Sequence, residues 1–221
     1  MTTLLRKKKA AIFDLDGTLL DSMDVWTEVD RRFLARRGIP LPDDYADALA
    51  PLGFHAAAEY TKKRFSLPDA EEHIMDEWFS LAVDAYANDV PFKPGAGAYL
   101  DSLSRRRIPI AAATASRAEF YIPALKRLGV WDCFSSVTEI GEVARGKGSP
   151  DIYLRAAEKL GMAPEDCVVF EDILPGIRGA AAGGFYTVAV HDDRAAEKDM
   201  IRALCDRYIY SFEEMLLEDV F

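Results

Sequence analysis

Cysteine, long apolar stretches and basic residues are all scarce in this sequence. The three cysteines (Cys133, Cys167 and Cys205) lie far apart and form no CxxC pair, which argues against a zinc site or a disulfide framework and predicts reduced, mostly buried thiols. No apolar run approaches the roughly 20 residues that cross a bilayer. The stretch AAIF that follows the basic N-terminus is too short for the core of a signal peptide. We therefore expect a cytoplasmic protein that is neither exported nor bound to a membrane.

The charge balance restricts the partners. There are 37 acidic residues against 27 basic ones, for a formal net charge of −10. A surface of that sign repels nucleic acid and anionic lipid, so neither is expected as a partner. With 221 residues, half of them hydrophobic, the chain can form one sizeable domain or a domain that carries an insertion.

Short apolar segments predict the strands of a buried sheet. They are AAIFDL (10–15), IPIAAATA (108–115), CVVFED (167–172) and YTVAVH (186–191). Strands that are apolar almost throughout are typical of a parallel sheet covered on both faces. Helical patterns over 117–129 and over 149–161, the second with Ser149 as its N-cap, alternate with these strands. The alternation predicts a doubly wound α/β fold.

The segment between the first two strands has a different pattern. Helix-like stretches cover about 22–37, 43–51, 54–66 and 70–87, and they predict a four-helix bundle with Trp26, Trp78 and Phe79 in its core. The Pro- and Gly-rich stretch VPFKPGAG (90–97) is a candidate hinge. We expect an α/β core formed by residues 1–19 and 90–221, and an inserted all-α domain formed by residues 20–89.

Carboxylates follow two of the predicted strands. Asp14 and Asp16 come at the end of the first strand, and Glu171 and Asp172 at the end of VVFED. Ligands of open α/β sheets bind beyond the carboxyl ends of the strands, so neighbouring strands would bring these groups together. Buried unpaired carboxylates are costly, and a hard divalent cation offsets that cost. All-oxygen ligation favours Mg²⁺. Asp is also common at strand ends and helix caps, which is the simpler alternative for the Asp14 and Asp16 pair.

Two further strand ends carry groups that suit an anion. Thr114 and Ser116 end the second predicted core strand, where hydroxyl and backbone N–H groups can bind phosphate. Lys147 precedes a predicted helix, and its ammonium can neutralise both a carboxylate and a phosphate. Each residue alone is more often a surface or packing residue, but the four strand-end elements in this order favour a phosphate site.

The order DLDGT (14–18), Thr114, Lys147 and ED (171–172) resembles the haloacid dehalogenase-like (HAD) hydrolase superfamily over nearly the whole chain. The resemblance implies a Rossmann-like parallel-sheet core with an inserted helical cap, which is similar to the subgroup that contains β-phosphoglucomutases and phosphoglycolate phosphatases. It also implies that Asp14 attacks phosphorus to form an aspartyl-phosphate.

The same resemblance assigns the remaining roles. Asp16 would be the general acid/base, and an Asp there favours phosphate esters over haloacids. Thr114, Ala115 and Lys147 would bind the phosphoryl oxygens. The Mg²⁺ ligands would be Asp14, Asp16 through its backbone carbonyl, and Asp172, with Glu171 either a ligand or a partner of one.

The turn after the first aspartate has its own expectations. Gly17 is expected to allow the chain to turn sharply, and Thr18 to steady that turn through its hydroxyl.

Substrate selection is assigned to two residues, each with a simpler alternative. His55 lies near a predicted helix start, where it could equally be a cap, and Arg117 could bind a distal anionic group or lie exposed at the start of a helix. Arg117 and Ala118 depart from the Ser-x-Ser-Lys-Asn pattern associated with sugar phosphomutases.

The functional expectation is a Mg²⁺-dependent phosphatase that acts on a small phosphorylated metabolite, in a monomer or weak homodimer. The alternatives are a β-phosphoglucomutase-like isomerase and a catalytically silent binding protein.

Overall fold

Six parallel strands form one sheet in the part of the chain that the computed structural model describes, residues 7–195, 197–217 and 220–221. In chain order they are β1 Ala10–Phe13, β2 Ile110–Thr114, β3 Ser136–Glu139, β4 Cys167–Glu171, β5 Tyr186–Val190 and β6 Arg207–Ile209. Their order across the sheet is β3-β2-β1-β4-β5-β6, so the winding reverses between β1 and β4. The predicted Rossmann-like parallel sheet is confirmed. The sequence patterns did not predict the edge strands β3 and β6.

Helices surround these strands and fill the segment between β1 and β2. In chain order they are α1 Val25–Ala35, α2 Tyr45–Leu49, α3 Phe54–Phe65, α4 Glu71–Asn88, α5 Ala96–Arg105, α6 Ala118–Arg127, α7 Asp151–Leu160, α8 Leu174–Ala182, α9 Lys198–Leu204 and α10 Glu213–Leu216. Two compact units result: Met1–Met23 with Pro91–Phe221 contains the sheet, and Asp24–Val90 contains α1 to α4. The start of the basic N-terminal run, up to residue 6, lies outside the described residues.

Strand β1 packs against apolar residues on both faces of the sheet, because successive side chains of a strand point to opposite faces. Ala10 and Ile12 pack in a cluster that includes Tyr153 of α7. Phe13 points to the other face and stacks on Phe170 of β4, with ring centroids 4.4 Å apart. All four β1 residues are fully buried. Burial on both faces explains why this strand reads as a continuous apolar run.

Aromatic contacts hold the helical unit together. Phe33 of α1 meets Trp78 of α4 edge to face, with centroids 5.5 Å apart. The Tyr45 hydroxyl lies 2.5 Å from the Thr61 hydroxyl, which links α2 to α3. Trp78 is buried as expected, but the prediction that Trp26 belongs to the core is wrong, because 44% of Trp26 is exposed.

The structure also bears on the scarcity of long apolar stretches and of cysteine. Among the described residues, no helix combines the length and the apolar character that a membrane crossing requires. All three cysteines are free thiols; Cys167 is buried, and Cys133 and Cys205 are partly buried.

Asp30 of α1 is expected to make stability depend on pH. Burial raises the pKa of Asp30 from 3.8 to about 7. The folded chain therefore binds the proton more tightly than the unfolded chain, so stability falls as pH rises from about 4 to about 7 and is level above that. Asp30→Asn removes this dependence. We expect wild type to lose about 2–3 kcal/mol relative to Asp30→Asn between pH 5 and pH 8.

Urea unfolding of both proteins at the two pH values, followed by far-UV circular dichroism, measures this difference. Asp76→Asn is the matched control, because Asp76 is an exposed carboxylate in the same helical unit. Its stability should follow wild type at both pH values. A constant difference between wild type and Asp30→Asn across the two pH values would contradict the prediction.

Candidate active site

The strand register brings the predicted catalytic segments together. Phe13 of β1 pairs with Phe170 of β4 and with Ala112 of β2, so Asp14 emerges between the ends of both neighbouring strands. The Asp14 N–H donates to the Phe170 carbonyl at 3.0 Å, which holds the nucleophile candidate against the end of β4. The site therefore lies where the winding reverses, the place where open α/β sheets bind ligands.

Three buried carboxylates meet at this edge. Asp14, Glu171 and Asp172 each offer one oxygen, and these oxygens all lie within 4.8 Å of one another. The Lys147 ammonium lies 2.5 Å from Glu171 Oε1 and also donates to Asp14 Oδ1. With all three carboxylates ionised, one ammonium leaves two negative charges in excess. That excess and the all-oxygen donor set fit a hard divalent cation.

The pKa values reflect this crowding. Burial, with the charges of Glu171 and Asp172, holds the pKa of Asp14 well above its usual range, although Lys147 opposes the shift. Burial, reinforced by Glu171, raises the pKa of Asp172 to about 7. Burial by itself would lower the pKa of Lys147, but Asp14 and Glu171 outweigh it and raise that pKa. Lys147 alone therefore does not compensate the charge of the carboxylates, and its own ammonium stays protonated.

The turn after Asp14 is tight because another carboxylate lies against it. Gly17 has φ +81°, and a Cβ at this position would lie 2.4 Å from Asp172 Oδ2. Only glycine meets both conditions without displacing Asp172. The predicted sharp turn at Gly17 is thus present.

Thr18 does something that the sequence patterns did not indicate. Its hydroxyl lies 2.9 Å from Asp172 Oδ1 and 3.2 Å from Asp14 Oδ2. The hydroxyl contacts Asp14 within its own turn, as expected, and it also links that turn to the end of β4 through Asp172. The four-residue spacing from Asp14 was the only local signal.

Asp16 lies apart from the three clustered carboxylates. It is partly buried, and the Ser22 hydroxyl donates to its Oδ1 at 2.7 Å. A carboxylate oriented by a hydroxyl and still partly open to water suits proton transfer. Its role as acid and base remains a prediction.

The candidate phosphate ligands lie at the end of β2. Thr114 is fully buried, and its Oγ1 accepts from the Ser116 N–H at 2.9 Å. Ala115 between them is exposed. Thr114 pairs with Glu139 of β3, and its own strand, β2, is the direct neighbour of β1. These positions are compatible with the predicted phosphate-binding role, which stays a prediction.

Tyr153 of α7 is a site residue that the sequence analysis did not single out. Its hydroxyl donates to Glu171 Oε1 at 2.8 Å, the oxygen that Lys147 also contacts. Burial and the Glu171 charge raise the pKa of Tyr153, so the phenol stays a donor. Tyr153 thereby fixes the orientation of Glu171.

The two substrate-selecting candidates are exposed. Two thirds of the His55 side chain is accessible, and its Nε2 lies 3.8 Å from Glu71 Oε2. The Arg117 side chain is 64% exposed and lies 3.4 Å from Glu119 Oε1. Neither contact assigns a substrate role, and both roles remain predictions.

Residues 8–184 match the haloacid dehalogenase-like hydrolase family. The chain belongs to the haloacid dehalogenase-like (HAD) hydrolases. The predicted recognition is confirmed, and the acidic cluster of Asp14, Glu171 and Asp172, found among the described residues, fits metal binding.

Two relatives within reach of sequence comparison are named as phosphatases. The chain is 31% identical over 194 residues to the bifunctional riboflavin kinase/FMN phosphatase of Arabidopsis thaliana, covering 86% of this chain but only half of that protein. It is 31% identical over 202 residues to the validoxylamine A 7'-phosphate phosphatase of Streptomyces hygroscopicus subsp. limoneus, covering 87% and 92% of the two chains. The prediction of a HAD-type phosphatase is confirmed.

A solved structure has the same architecture. A candidate β-phosphoglucomutase from Thermotoga maritima superposes with a TM-score of 0.84 at 25% identity, covering 94% of this chain and 96% of that one. The predicted similarity to the β-phosphoglucomutase subgroup is confirmed, and a phosphomutase activity also fits this likeness.

Proposed function

We propose that this HAD protein is a Mg²⁺-dependent phosphatase that hydrolyses a small phosphorylated metabolite through an aspartyl-phosphate on Asp14. One observation carries the proposal: the Asp14 carboxylate shares a buried cluster with Glu171 and Asp172 and is paired with Lys147. Phosphoryl transfer depends chiefly on alignment and on neutralising charge, and this cluster offers a nucleophile beside a fixed cation.

In the first step, an Asp14 carboxylate oxygen attacks phosphorus and the bond from phosphorus to the ester oxygen breaks. Asp16 gives its proton to the departing oxygen, so the alcohol leaves neutral. The Lys147 ammonium, the Thr114 hydroxyl and the Ala115 N–H bind the phosphoryl oxygens. Lys147 is already placed at Asp14 by its two carboxylate partners.

In the second step, Asp16 takes a proton from water and the oxygen of that water attacks phosphorus. The bond from Asp14 to phosphorus then breaks, which releases inorganic phosphate and restores the carboxylate. The Ser22 hydroxyl holds the Asp16 carboxylate in one orientation for both proton transfers. Splitting hydrolysis in this way replaces one difficult displacement with two easier ones.

The residues that would hold Mg²⁺ are Asp14, Asp172 and the Asp16 carbonyl, with Glu171 either a ligand or a partner of one. When bound, the ion would supply positive charge that stabilises the phosphoryl oxygens. The protein's own contribution is orientation: Thr18 bridges Asp14 and Asp172, and Tyr153 fixes Glu171.

The substrate class rests on the relatives. The two similar phosphatases are named for FMN and for validoxylamine A 7'-phosphate, both small phosphorylated molecules. The proposal also includes two domains: a catalytic core of residues 1–19 and 90–221, and an inserted cap of residues 20–89. The compact helical unit, Asp24–Val90, lies close to these proposed cap boundaries.

A β-phosphoglucomutase-like isomerase is the second candidate, favoured by the structural likeness at a TM-score of 0.84. The Arg117–Ala118 pair, which replaces the mutase-associated Lys-Asn, favours the phosphatase. A silent binding protein is disfavoured because the nucleophile, acid/base, lysine and metal ligands are all retained.

Chelation should abolish turnover. With Mg²⁺ the purified protein should release phosphate from a generic aryl phosphate, and EDTA should lower the rate by at least about a hundredfold because the excess negative charge in the cluster is left uncompensated. Adding Mg²⁺ back in excess should restore the rate, with K⁺ at equal ionic strength as the control. Full activity in EDTA would contradict the metal requirement.

The same preparation separates the two candidate activities. β-Glucose 1-phosphate is supplied with a trace of the 1,6-bisphosphate, and products are followed by phosphorus NMR. Free phosphate supports a phosphatase, whereas glucose 6-phosphate supports the isomerase. A panel of phosphorylated sugars, sugar alcohols and nucleotides then ranks the natural substrate.

A further inference from the structure

Two buried glycines, Gly176 and Gly179, lie in helix α8. Glycine weakens the interior of a helix relative to alanine, so a buried glycine there is typical of a place where another group comes close to the backbone. The two residues are three positions apart and share one face of the helix. The groups that this face contacts both belong to the candidate active site.

Gly179 lies against the backbone of the loop that carries Lys147. A Cβ on Gly179 would lie 2.1 Å from the Lys147 carbonyl oxygen and 2.7 Å from the Ser149 carbonyl oxygen. Both are backbone atoms, so no side-chain rotation relieves the clash. The helix itself packs against β4, β5 and α9, so the loop is the part that has to yield. To reach ordinary contact, which begins at 3.4 Å, the Lys147 backbone would withdraw by about 1 Å.

Gly176 lies against the carboxylate that pairs with Lys147. A Cβ on Gly176 would lie 2.4 Å from Glu171 Cδ and 2.6 Å from each of its carboxylate oxygens. Glu171 is fully buried, and its Oε1 lies 2.5 Å from the Lys147 ammonium. One face of α8 therefore admits the Glu171 side chain and, three residues further on, the Lys147 backbone. The two glycines allow both members of this ion pair to lie against the same helix.

The glycines on either side of Lys147 in the sequence have no such contacts. Among the described residues, a Cβ on Gly148 would meet nothing nearer than Pro175 Cβ, at 4.0 Å, and a Cβ on Gly146 would meet nothing within 4 Å. Neither glycine has a positive φ. The close approach that fixes the Lys147 backbone is therefore made by a different element, α8, and not by the loop that contains the lysine.

We propose that Gly176 and Gly179 are positioning residues of the active site, which set the place where the Lys147 ammonium and the Glu171 carboxylate meet. The inference rests on the proposed function, in which Lys147 binds a phosphoryl oxygen. A misplacement of about 1 Å near the reacting atoms can lower a rate by about a hundredfold. All four residues belong to the unit that contains the sheet.

NMR of the full chain with isotope-labelled lysine tests the placement directly. The Lys147 side chain is only 8% exposed and contacts two buried carboxylates, so its ammonium signal should stand apart from those of surface lysines. Lys147→Arg assigns this signal by its disappearance. We expect the signal to shift in Gly179→Ala and in Gly176→Ala. Gly148→Ala is the matched control, next to Lys147 but free of a clash, and should leave the signal in place.

Turnover of an aryl phosphate with Mg²⁺, and its inhibition by inorganic phosphate, test the consequence for the site. Gly179→Ala should lower kcat/KM by at least about tenfold and weaken inhibition by phosphate several-fold, whereas Gly148→Ala should match wild type. In a Lys147→Met background, Gly179→Ala should cause little further loss, because no ammonium is left to displace. A glycine that serves packing alone would lower the rate by the same factor in both backgrounds.

Urea unfolding of each variant in parallel ensures that folded proteins are compared. The proposal is overturned if the Lys147 signal is unchanged in either α8 variant, if Gly148→Ala lowers the rate as much as Gly179→Ala, or if the full loss persists in the Lys147→Met background. Failure of the proposed function has a different signature: the wild-type protein would release no phosphate, while the NMR comparison would still show whether the α8 glycines place Lys147.

Discussion

Asp14→Asn is expected to lower phosphatase turnover by at least about a thousandfold, because the amide oxygen is a poor nucleophile and the amide cannot carry the phosphoryl group. The substitution keeps the size and shape of the side chain, so the packing around it should persist. Stability should not fall, since burial already disfavours the charged form of Asp14. Steady-state release of phosphate from an aryl phosphate, with urea unfolding in parallel, measures both outcomes.

A trapped intermediate separates the nucleophile from a merely structural aspartate. Acid-quenched wild-type protein should carry phosphate on the peptide that contains Asp14, and the Asp14→Asn protein should carry none. Asp199→Asn is the matched control, because Asp199 is a fully exposed carboxylate on α9 and should retain full turnover. Full turnover by Asp14→Asn would rule out the covalent mechanism.

Lys147→Met is expected to cost about 3–5 kcal/mol of stability in the metal-free protein. Lys147 is the cation that contacts both Asp14 and Glu171, and both carboxylates are buried. Methionine preserves most of the volume but leaves the two carboxylates without their partner. Turnover should fall as well, because the phosphoryl group loses a cation.

A double-mutant cycle gives this prediction a sharper readout. Adding Asp14→Asn to Lys147→Met removes one uncompensated carboxylate, so the double variant should recover part of the lost stability. The matched control is Lys126→Met, at an exposed position on α6, which should change the free energy of unfolding by less than about 0.5 kcal/mol. Strictly additive effects, or a Lys147→Met protein as stable as wild type, would show that the pairing does not stabilise the fold.

Local signals in the sequence were strongest where the structure is buried on both sides. AAIF and CVVF were recognisable as strands because a central parallel strand is apolar at every position. The edge strands β3 and β6 were not predicted, because most of their residues are only partly buried and several are polar. Their pattern resembles that of ordinary loops.

The start of helix α7 differs from the one that the local sequence predicts. The helix predicted over 149–161 is present as α7, but its N-cap is Pro150 rather than Ser149. The Ser149 hydroxyl donates to Asp151 at 2.9 Å, and its N–H closes a turn with the Gly146 carbonyl. That turn spans residues 146–149 and includes Lys147. The first helical residue is therefore Asp151, and the prediction of a serine cap is wrong.

The chain's own pattern determined which residue types stand at the ends of its strands, and this was enough to identify a HAD core and to predict a metal and phosphate site. Spacing along the chain carries that information, because strand ends and turns are local. Only the tertiary structure decided which of these groups touch: the strand order sets β4 beside β1, so Thr18 reaches Asp172 across 154 residues and Tyr153 reaches Glu171. The burial of the Asp30 carboxylate is likewise visible only once α1 to α4 are packed, because burial depends on neighbours that the local sequence does not specify.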